Sequence, residues 1–459
     1  MMTGPNDRTA IPTVRKILIG SGDFGLNLYW QSSSLFLLYF YTEVLGLSPV
    51  VAGTIYMTAL VWDAAIDPIV GALADRTRSR WGPHRPYLII GALPLAVSFV
   101  MLFTLPTLGV GSVVALATVS HFLFRTLYAL VAIPYAALFA NVTRDSGERA
   151  TMAGIRMVFA LVSGIVIAAV TLPVARLLGG DARGWAILGV GYSGLASVFL
   201  WISAAAANQG DERDNAQLQD SVELVRSLWT IALNRPLLIV LGIVLISSFA
   251  STFFSKNVLY FFKYVRHDEG FGGTALAIMA AAAALAAPIW ARVARSVGKR
   301  NALITGLIIY SLGLAFWYLA RESSYGVLAG ALVLIGIGAS SSYVCFWAML
   351  PDTVEYGEWR TGVRTESLLF GFAIFAQKGA LGLGAGALGL SLGWIGLVSN
   401  AEQSMSTLHG LSLMMTGVPL AGAVASIALA SCYTIDSAAH ERFMEEIAAR
   451  KSTFDPHKA

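Results

Sequence analysis

The sequence is poor in charged residues. Asp, Glu, Lys and Arg make up 13% of its 459 residues, about half the share that a soluble domain carries. So few charges cannot cover a water-facing surface, which excludes a soluble globular protein of this length. The chain is also poor in cysteine. Cys345 and Cys432 both lie in apolar runs, where we expect small buried side chains rather than a disulfide framework.

Signatures of catalysis and of nucleic-acid binding are missing as well. We find no His-rich metal set, no nucleophile elbow and no phosphate-binding loop. The six histidines are scattered, and we expect His84 in a loop and His121 on a helix surface. The net charge is only +4, and no basic stripe alternates with exposed aromatics. The sequence therefore argues against an enzyme, a cofactor or a nucleic-acid partner.

Long apolar runs fill the chain instead. Hydrophobic residues make up 56% of the sequence, with 45 glycines, and the mean hydropathy is +0.68. A helix of about 20 apolar residues crosses the roughly 30 Å hydrocarbon core of a bilayer. The runs predict an all-α membrane protein, in contact with lipid, with twelve transmembrane helices. These are residues 17–46, 49–74, 86–107, 111–140, 150–178, 185–207, 233–265, 272–296, 301–320, 325–351, 365–397 and 406–433.

One polar, mixed-charge stretch interrupts this pattern near the middle of the chain. It separates two halves of similar size, which is typical of transporters built from two six-helix repeats. The predicted domains are an N-terminal tail 1–16, a first half 17–207, a linker 208–232, a second half 233–433 and a C-terminal tail 434–459.

Lys and Arg are distributed unevenly among the connections. They concentrate in alternate loops: Arg76, Arg78, Arg80 and Arg85; Arg144 and Arg149; and Arg292, Arg295, Lys299 and Arg300. Cytoplasmic loops of membrane proteins carry this excess of positive charge. We therefore expect a multi-pass protein of the cell (inner) membrane with both termini and the linker in the cytoplasm.

Two carboxylates lie inside the second predicted helix, in the run VWDAAIDP. Asp63 and Asp67 are four residues apart, which places both on one face of the helix. Ionisable groups at membrane depth are expensive and usually functional. Two adjacent carboxylates do not both stay ionised cheaply in a low dielectric, so one binds a proton or a cation binds the pair. Pro68 frees a backbone carbonyl one turn earlier, a further oxygen ligand. A structural pair bonded to a basic residue is the alternative.

Other polar groups fall within the predicted spans. Four are basic, and each is compatible with an ion pair or with a solute contact: Arg125, Arg156, Lys256 and Lys378. Asn27 and Gln31 share a helical face, and their amides suit either solute hydroxyls or helix–helix hydrogen bonds. Asn257 follows Lys256 and is a further candidate solute contact. Tyr128 and Trp347 complete the set of candidate solute contacts. The aromatics of the first span are mostly expected to be interface anchors; they are Tyr29, Trp30, Phe36, Tyr39, Phe40 and Tyr41.

Three stretches carry a family resemblance. They are GDFGLNLYWQSSSLFLLYFYTEVLGLS (Gly22–Ser48), DAAIDPIVGALADRTRSRWGPHRPYLIIGALP (Asp63–Pro94) and PDTVEYGEWRTGVRTESLLFGFAIFAQKGA (Pro351–Ala380). Together they resemble the glycoside-pentoside-hexuronide:cation symporters of the major facilitator superfamily, with melibiose permease as the best-known member. The resemblance follows the same order along nearly the whole chain.

The resemblance implies a major facilitator fold and alternating access about a central cavity. It implies that Asp63 and Asp67 are the cation-site carboxylates and that Lys378 lies close by as a coupling residue. It implies a solute contact for Arg156. It also implies that residues of two cytoplasmic motifs act in gating: Gly71, Asp75, Arg76 and Arg80 in the first, and Asp352, Glu355 and Arg364 in the second.

The sequence also departs from the family pattern. Where melibiose permease offers aspartates to sugar hydroxyls, the matching positions are Asn27 and Ala132, and the threonine next to its cation site is matched by Ala129. Galactoside recognition therefore does not carry over, and proton coupling stands beside sodium coupling. The intramembrane cations suit an anionic solute such as a uronide or sulfosugar, while a neutral glycoside or pentoside suits the family. A lipid or amphiphile carrier and a non-transporting sensor remain alternatives.

Overall fold

A computed structural model describes residues 11–104, 110–142, 146–207, 234–362 and 366–453. Throughout these ranges the chain forms helices and no strands, which confirms the predicted all-α class. Ten of the helices found there are long and apolar enough to cross a bilayer. Helices are the natural solution in lipid because each one satisfies its own backbone hydrogen bonds.

Within the described residues, helices cover the first six predicted spans. In chain order they comprise α1 (Thr13–Gly20), α2 (Gly22–Tyr39), a π-helical turn π1 (Phe40–Val44), α3 (Pro49–Arg76), α4 (Arg85–Ile89), α5 (Ala92–Leu102), α6 (Val110–Val142), α7 (Ser146–Leu177) and α8 (Ala182–Ala206). The first span is divided between α1 and α2 at Ser21, and the third between α4 and α5.

The predicted linker, 208–232, lies outside the described residues. The later spans follow as α9 (Arg235–Tyr260), a second π-helical turn π2 (Phe261–Val265), α10 (Glu269–Val297), α11 (Lys299–Ala320), α12 (Tyr325–Thr361), α13 (Glu366–Trp394) and α14 (Met405–Ser431), and the tail forms α15 (Ser437–Thr453). The tenth span was predicted to end at residue 351, but its helix does not end there. Helix α12 continues through Pro351 to Thr361, because a proline removes one backbone donor without stopping a helix that packing supports.

The described chain divides into two compact units. The first lies within Met1–Phe40 and Ala65–Asn215, and the second within Tyr41–Ala64 and Ala216–Ala459. The helix α3 therefore contributes its residues up to Ala64 to the second unit and the remainder to the first.

In the first unit, α2 packs against α7 and α8. Several aromatic side chains that we expected at a membrane interface are instead buried: Tyr29 and Phe36 are 0% exposed. The ring of Tyr29 contacts that of Phe99 edge to face, with 4.9 Å between centroids. Such pairs are favourable beyond the area they bury, so these aromatics build the core of the unit, and the interface prediction is wrong for them.

In the second unit, the first part of α3 lies directly against α13. Glycines make this approach possible: a Cβ atom added at Gly389 would lie 2.4 Å from the Pro49 carbonyl oxygen, and one at Gly382 would lie 2.8 Å from Leu60 Cβ. Small residues at a helix crossing let two backbones come together in a membrane. This crossing fixes the position of α3 relative to α13. Elsewhere in the unit Cys345 is buried as expected, but Cys432 is exposed, because it lies just past the end of α14.

We expect Gly389→Ala to lower the melting temperature of the purified protein, because the atoms closest to the new methyl group belong to the backbone and do not move aside easily. Gly371→Ala on the same helix is the matched control, since a Cβ atom there meets nothing within 4 Å. Alanine is favoured over glycine in a helix by up to about 1 kcal/mol, so the control is expected to be neutral or stabilising. Equal effects at the two positions would contradict the close crossing.

Candidate functional site

The two α3 carboxylates occupy different surroundings. Asp63 is 0% exposed, and its Oδ2 lies 3.0 Å from Nζ of Lys378 on α13. Asp67 follows one helical turn later and is half-buried. The Lys378 side chain is 16% exposed. The fold thus places Lys378 beside Asp63, the proximity that the family resemblance implies, and supplies Asp63 with a countercharge from another helix.

A buried ion pair of this kind has a definite chemical capacity. Taking two charges out of water is expensive, and their mutual attraction offsets that only while both partners remain. A proton or a small cation that binds the Asp63 carboxylate removes the anion on which the Lys378 ammonium depends. Cation occupancy at α3 therefore changes the electrostatic balance between α3 and α13, which is the property that a coupling site requires.

Two further predicted contacts of the second unit carry polar groups with unused hydrogen-bonding capacity. Asn257 on α9 is 0% exposed, and neither its side-chain oxygen nor its nitrogen has a hydrogen-bond partner among the described residues. The indole N–H of Trp347 on α12 is likewise buried without a partner in the described part of the chain. Native structures rarely leave buried polar atoms unsatisfied. Both groups are therefore candidates to meet a solute hydroxyl.

The neighbouring lysine is held by an aromatic ring. Lys256 is 5% exposed, and its Nζ lies 4.1 Å from the centre of the Tyr56 ring, a cation–π geometry. Since Tyr56 is on α3, two turns before Asp63, α3 carries contacts to predicted residues on both α9 and α13.

In the first unit, three predicted residues lie along α2 and α7. The Asn27 amide donates back to the Asp23 carbonyl at 2.9 Å, and the Gln31 side chain reaches Gly164 on α7, where an added Cβ would lie 3.4 Å from its nitrogen. Arg156 on α7 donates from Nε and Nη2 to the two carboxylate oxygens of Asp23. Tyr128 contacts Trp30, with 5.9 Å between ring centroids.

The sequence analysis missed Asp23. The signal that was available is its spacing: Asp23 precedes Asn27 by four residues on the same helix and is also ionisable within a predicted span. The family's acidic position on this helix is matched by Asn27, so the resemblance does not point to Asp23. The partner of Asp23 lies 133 residues away, a distance that no local pattern reveals.

A second buried acid, Glu43 on π1, was also missed. Its side chain is 2% exposed and lies 2.5 Å from Nζ of Lys263 on π2. The Tyr264 hydroxyl donates to the same carboxylate oxygen at 2.5 Å. Asn400 completes the network: its amide oxygen accepts from Lys263 at 2.6 Å, and its side-chain nitrogen donates to the Glu43 carbonyl at 2.8 Å. π-Helical turns often mark functional positions in helices, and here two of them meet.

The structure confirms one of the two histidine predictions. His84 lies in the connection before α4, as expected, and is 4% exposed. His121 on α6 is 0% exposed, so the prediction of a helix-surface residue is wrong. The His121 ring accepts a hydrogen bond from Nε of Arg125 at 3.3 Å, and the Arg125 guanidinium lies 5.2 Å from the centre of the Trp30 ring. The buried Arg125 guanidinium belongs to a cation–aromatic cluster, and its contacts with the aromatic rings stabilise this charge inside the unit.

The predicted gating residues that the structure describes lie in the C-terminal parts of α3 and α12 or just beyond α3. Gly71, Asp75 and Arg76 are in the last turns of α3, while Arg80 follows the helix with its guanidinium over the Trp81 ring. In the second motif, Nζ of Lys299 donates to both Asp352 oxygens at 2.6 and 2.8 Å. Arg364 lies outside the described residues.

Glu355 pairs with the His440 ring of α15. Asp352, Glu355 and His440 are close enough to share a metal ion. Because the Lys299 ammonium already occupies both Asp352 oxygens, the arrangement favours an ion-pair network over a metal centre.

Comparison with known proteins places these features in context. The family model described as "MFS/sugar transport protein" matches residues 18–437. The isoprimeverose transporter of Lactiplantibacillus pentosus is 30% identical over 436 residues, covering 94% of this chain and 90% of that protein. The glucuronide carrier protein homolog of Escherichia coli (strain K12) is 28% identical, covering 94% of each.

Among solved structures, a D-xylose-proton symporter matches with a TM-score of 0.66 at 13% sequence identity. The match covers 90% of this chain and 97% of that one. At this identity the similarity shows a shared fold alone.

Proposed function

The chain belongs to the MFS/sugar transport protein family, and we propose that it is a secondary active symporter coupling the uptake of a sugar or sugar-derived solute to a Na⁺ or H⁺ gradient. The family consists of transporters rather than enzymes, and the protein is a multi-pass membrane protein with the major facilitator fold.

The observation that carries the proposal is the buried ion pair between Asp63 and Lys378. In the proposed cycle the cation binds at Asp63 and Asp67, and Lys378 is released from its carboxylate. A bare carboxylate in a closed, dry site is unfavourable, whereas a carboxylate neutralised by a cation or by Lys378 is not. In this cycle the empty carrier, with Lys378 paired to Asp63, and the carrier loaded with both cation and solute reorient more easily than partly loaded ones, which is the condition for coupled transport.

We place the solute among the polar residues selected from the sequence. Asn257 and the Trp347 indole N–H have no hydrogen-bond partner within the part of the chain that the structure describes. They support a solute rich in hydroxyls, because a buried amide and indole N–H gain most from such partners. Asn27, Gln31, Tyr128, Arg156, Lys256 and Lys378 complete the proposed contacts. The names of two relatives, an isoprimeverose transporter and a glucuronide carrier homolog, support a sugar-derived solute without fixing its charge.

We further propose cytoplasmic termini, an inner-membrane location and the two halves 17–207 and 233–433. In this orientation the gating residues lie on the cytoplasmic side: Gly71, Asp75, Arg76, Arg80, Asp352, Glu355 and Arg364. The Lys299–Asp352 and His440–Glu355 pairs fit a latch at helix ends that opens when the carrier changes conformation.

The lipid-carrier alternative rested on the aromatic first span. Tyr29, Phe36 and Phe40 are buried in packed cores, so their rings are unavailable to an amphiphile. This burial favours a sugar-derived solute over a lipid.

A ligand screen on the purified protein tests the proposal. Neutral glycosides, pentosides, uronides and sulfosugars are combined with Na⁺, Li⁺ or K⁺ across pH, and thermal stability is recorded. A ligand that binds only the folded state adds about 2.7 kcal/mol at 100 times its Kd. We expect at least one sugar to stabilise the protein more strongly in the presence of one particular cation or at lower pH. Stabilisation by lysolipids alone would favour an amphiphile carrier instead.

A further inference from the structure

The first unit contains an ion pair that includes Arg156, one of the proposed solute contacts. Both carboxylate oxygens of Asp23 accept from Arg156, and the Tyr135 hydroxyl donates to Asp23 Oδ2 at 3.1 Å. The Arg156 guanidinium also lies over the Phe139 ring, 4.4 Å from its centroid. This geometry holds Arg156 in one orientation and sets the Asp23 charge directly against it.

The pair is partly exposed although α7 is a spanning helix. The side chains of Arg156 and Asp23 are 28% and 12% exposed. Charged groups on spanning helices face the bundle interior or a water-filled cavity, because exposure to hydrocarbon is costly. We therefore infer that the accessible edge of this pair faces a water-filled cavity, which a solute can also enter.

The helix α2 carries two further polar side chains in register with the pair, and α7 lies alongside them. On α2, Asp23, Asn27 and Gln31 recur every four residues. On α7, Gly164 meets Gln31 and lies eight residues beyond Arg156, the same spacing that separates Gln31 from Asp23. Eight residues rise about 12 Å in a helix, so α2 and α7 run side by side and form a polar seam long enough for a sugar.

We propose that Asp23 is a specificity-determining residue that makes this seam select neutral over anionic solutes, an inference that rests on the proposed sugar transport. Alone, the Arg156 guanidinium would attract a carboxylate or sulfonate through charge-assisted hydrogen bonds. With Asp23 bound to it, an anionic solute must displace one carboxylate by another or place two anions beside one cation. A hydroxylated neutral solute shares the pair without that repulsion, so the device discriminates by rejecting the wrong charge.

The two halves of the ion pair give opposite predictions. Affinities of purified variants are measured for two matched pairs of probes. The pairs are methyl glucoside with methyl glucuronide, and methyl galactoside with methyl galacturonide. Asp23→Asn is expected to shift the ratio of anionic to neutral affinity upward by about tenfold or more, the size of one charge-assisted hydrogen bond. Arg156→Gln is expected to shift the same ratio downward, because it leaves Asp23 as the uncompensated charge.

Glu148→Gln is the matched control. Glu148 is on α7, and its Oε1 lies 3.0 Å from Nζ of Lys16 on α1, so the variant opens a comparable ion pair in the same unit without altering the seam. We expect it to leave the affinity ratio unchanged. If either Asp23→Asn or Arg156→Gln does not fold, the sign of the shift in the other still decides the matter.

The outcomes separate this inference from the proposed function. Both the proposed function and the role of Asp23 are supported if the wild-type protein binds neutral sugars and the ratio of anionic to neutral affinity moves in opposite directions in the two variants. A wild-type protein that prefers uronides, or variants that weaken both probes equally, overturns the role of Asp23 while sugar binding stands. If the wild-type protein binds no sugar of either charge, the proposed function falls and this inference falls with it.

Discussion

Asp63→Asn is expected to abolish concentrative solute uptake. The variant keeps the shape of the side chain but removes the charge to which a cation would bind and on which Lys378 depends. In vesicles with an imposed Na⁺ or H⁺ gradient, we expect accumulation above the external concentration to disappear. Gradient-independent solute exchange is expected to persist at a reduced rate, because exchange needs solute binding but no net coupling.

The stability of the same variant has to be separated from its transport. Removing one partner of a buried ion pair costs about 3–5 kcal/mol, because the remaining charge is left without compensation. Asp63→Asn and Lys378→Met are therefore each expected to lower the melting temperature. The double variant, which removes both charges, is expected to recover most of that loss while still failing to concentrate solute.

Glu322→Gln is a suitable control, since its carboxylate is 84% exposed and pairs only loosely with Arg321, at 3.5 Å. Exposed pairs of this kind contribute about 0–1 kcal/mol, so neither stability nor uptake should change. Unaltered concentrative uptake in Asp63→Asn, and in Asp67→Asn tested in parallel, would overturn the proposed coupling site. A double variant that melts no higher than the single ones would contradict the ion pair itself.

Lys263→Met is expected to be the most destabilising change outside the proposed coupling site. It leaves the Glu43 carboxylate, 2% exposed, buried without its cation, for which the expected loss is again about 3–5 kcal/mol. Glu43→Gln is expected to be milder, because Lys263 is 18% exposed and can still reach water. Thermal melting in detergent measures both.

Two additional variants identify the cause of that loss. Tyr264→Phe removes the hydrogen bond that the hydroxyl donates to Glu43 and the one that it accepts from the Asn400 backbone N–H. It leaves both charges in place, so a loss of about 1–3 kcal/mol is expected. Combining Glu43→Gln with Lys263→Met measures the interaction directly, because the double variant should be more stable than the sum of the single losses predicts. Strictly additive losses would mean that the two π-helical turns are held by packing and not by their charges.

The positions of the membrane helices were predictable from the sequence, and the reason is physical. A span is recognised by its apolar length, and a helix completes its backbone hydrogen bonds within itself. Helix α3, predicted as 49–74, begins at Pro49 and ends at Arg76. The predicted end of α12 was wrong because apolar length indicates where a span leaves the membrane, not where its helix ends. Helix α12 continues beyond residue 351 through polar residues to Thr361.

The candidate site was only partly predictable. Asp63 and Asp67 stand out because a carboxylate inside an apolar run is conspicuous by itself. Asp23 and Glu43 were harder to recognise because each lies towards an end of its predicted span, where a charge is less unusual, and their importance comes from the cations that they meet.

The sequence by itself determined which segments enter the membrane and which charged residues travel with them, because both depend on local composition. Only the tertiary structure decided which charges compensate one another. It paired Asp63 with Lys378, Asp23 with Arg156 and Glu43 with Lys263, each across different helices. Side-chain electrostatics acts over a few ångströms in space regardless of separation along the chain, so these partnerships exist only once the helices have packed.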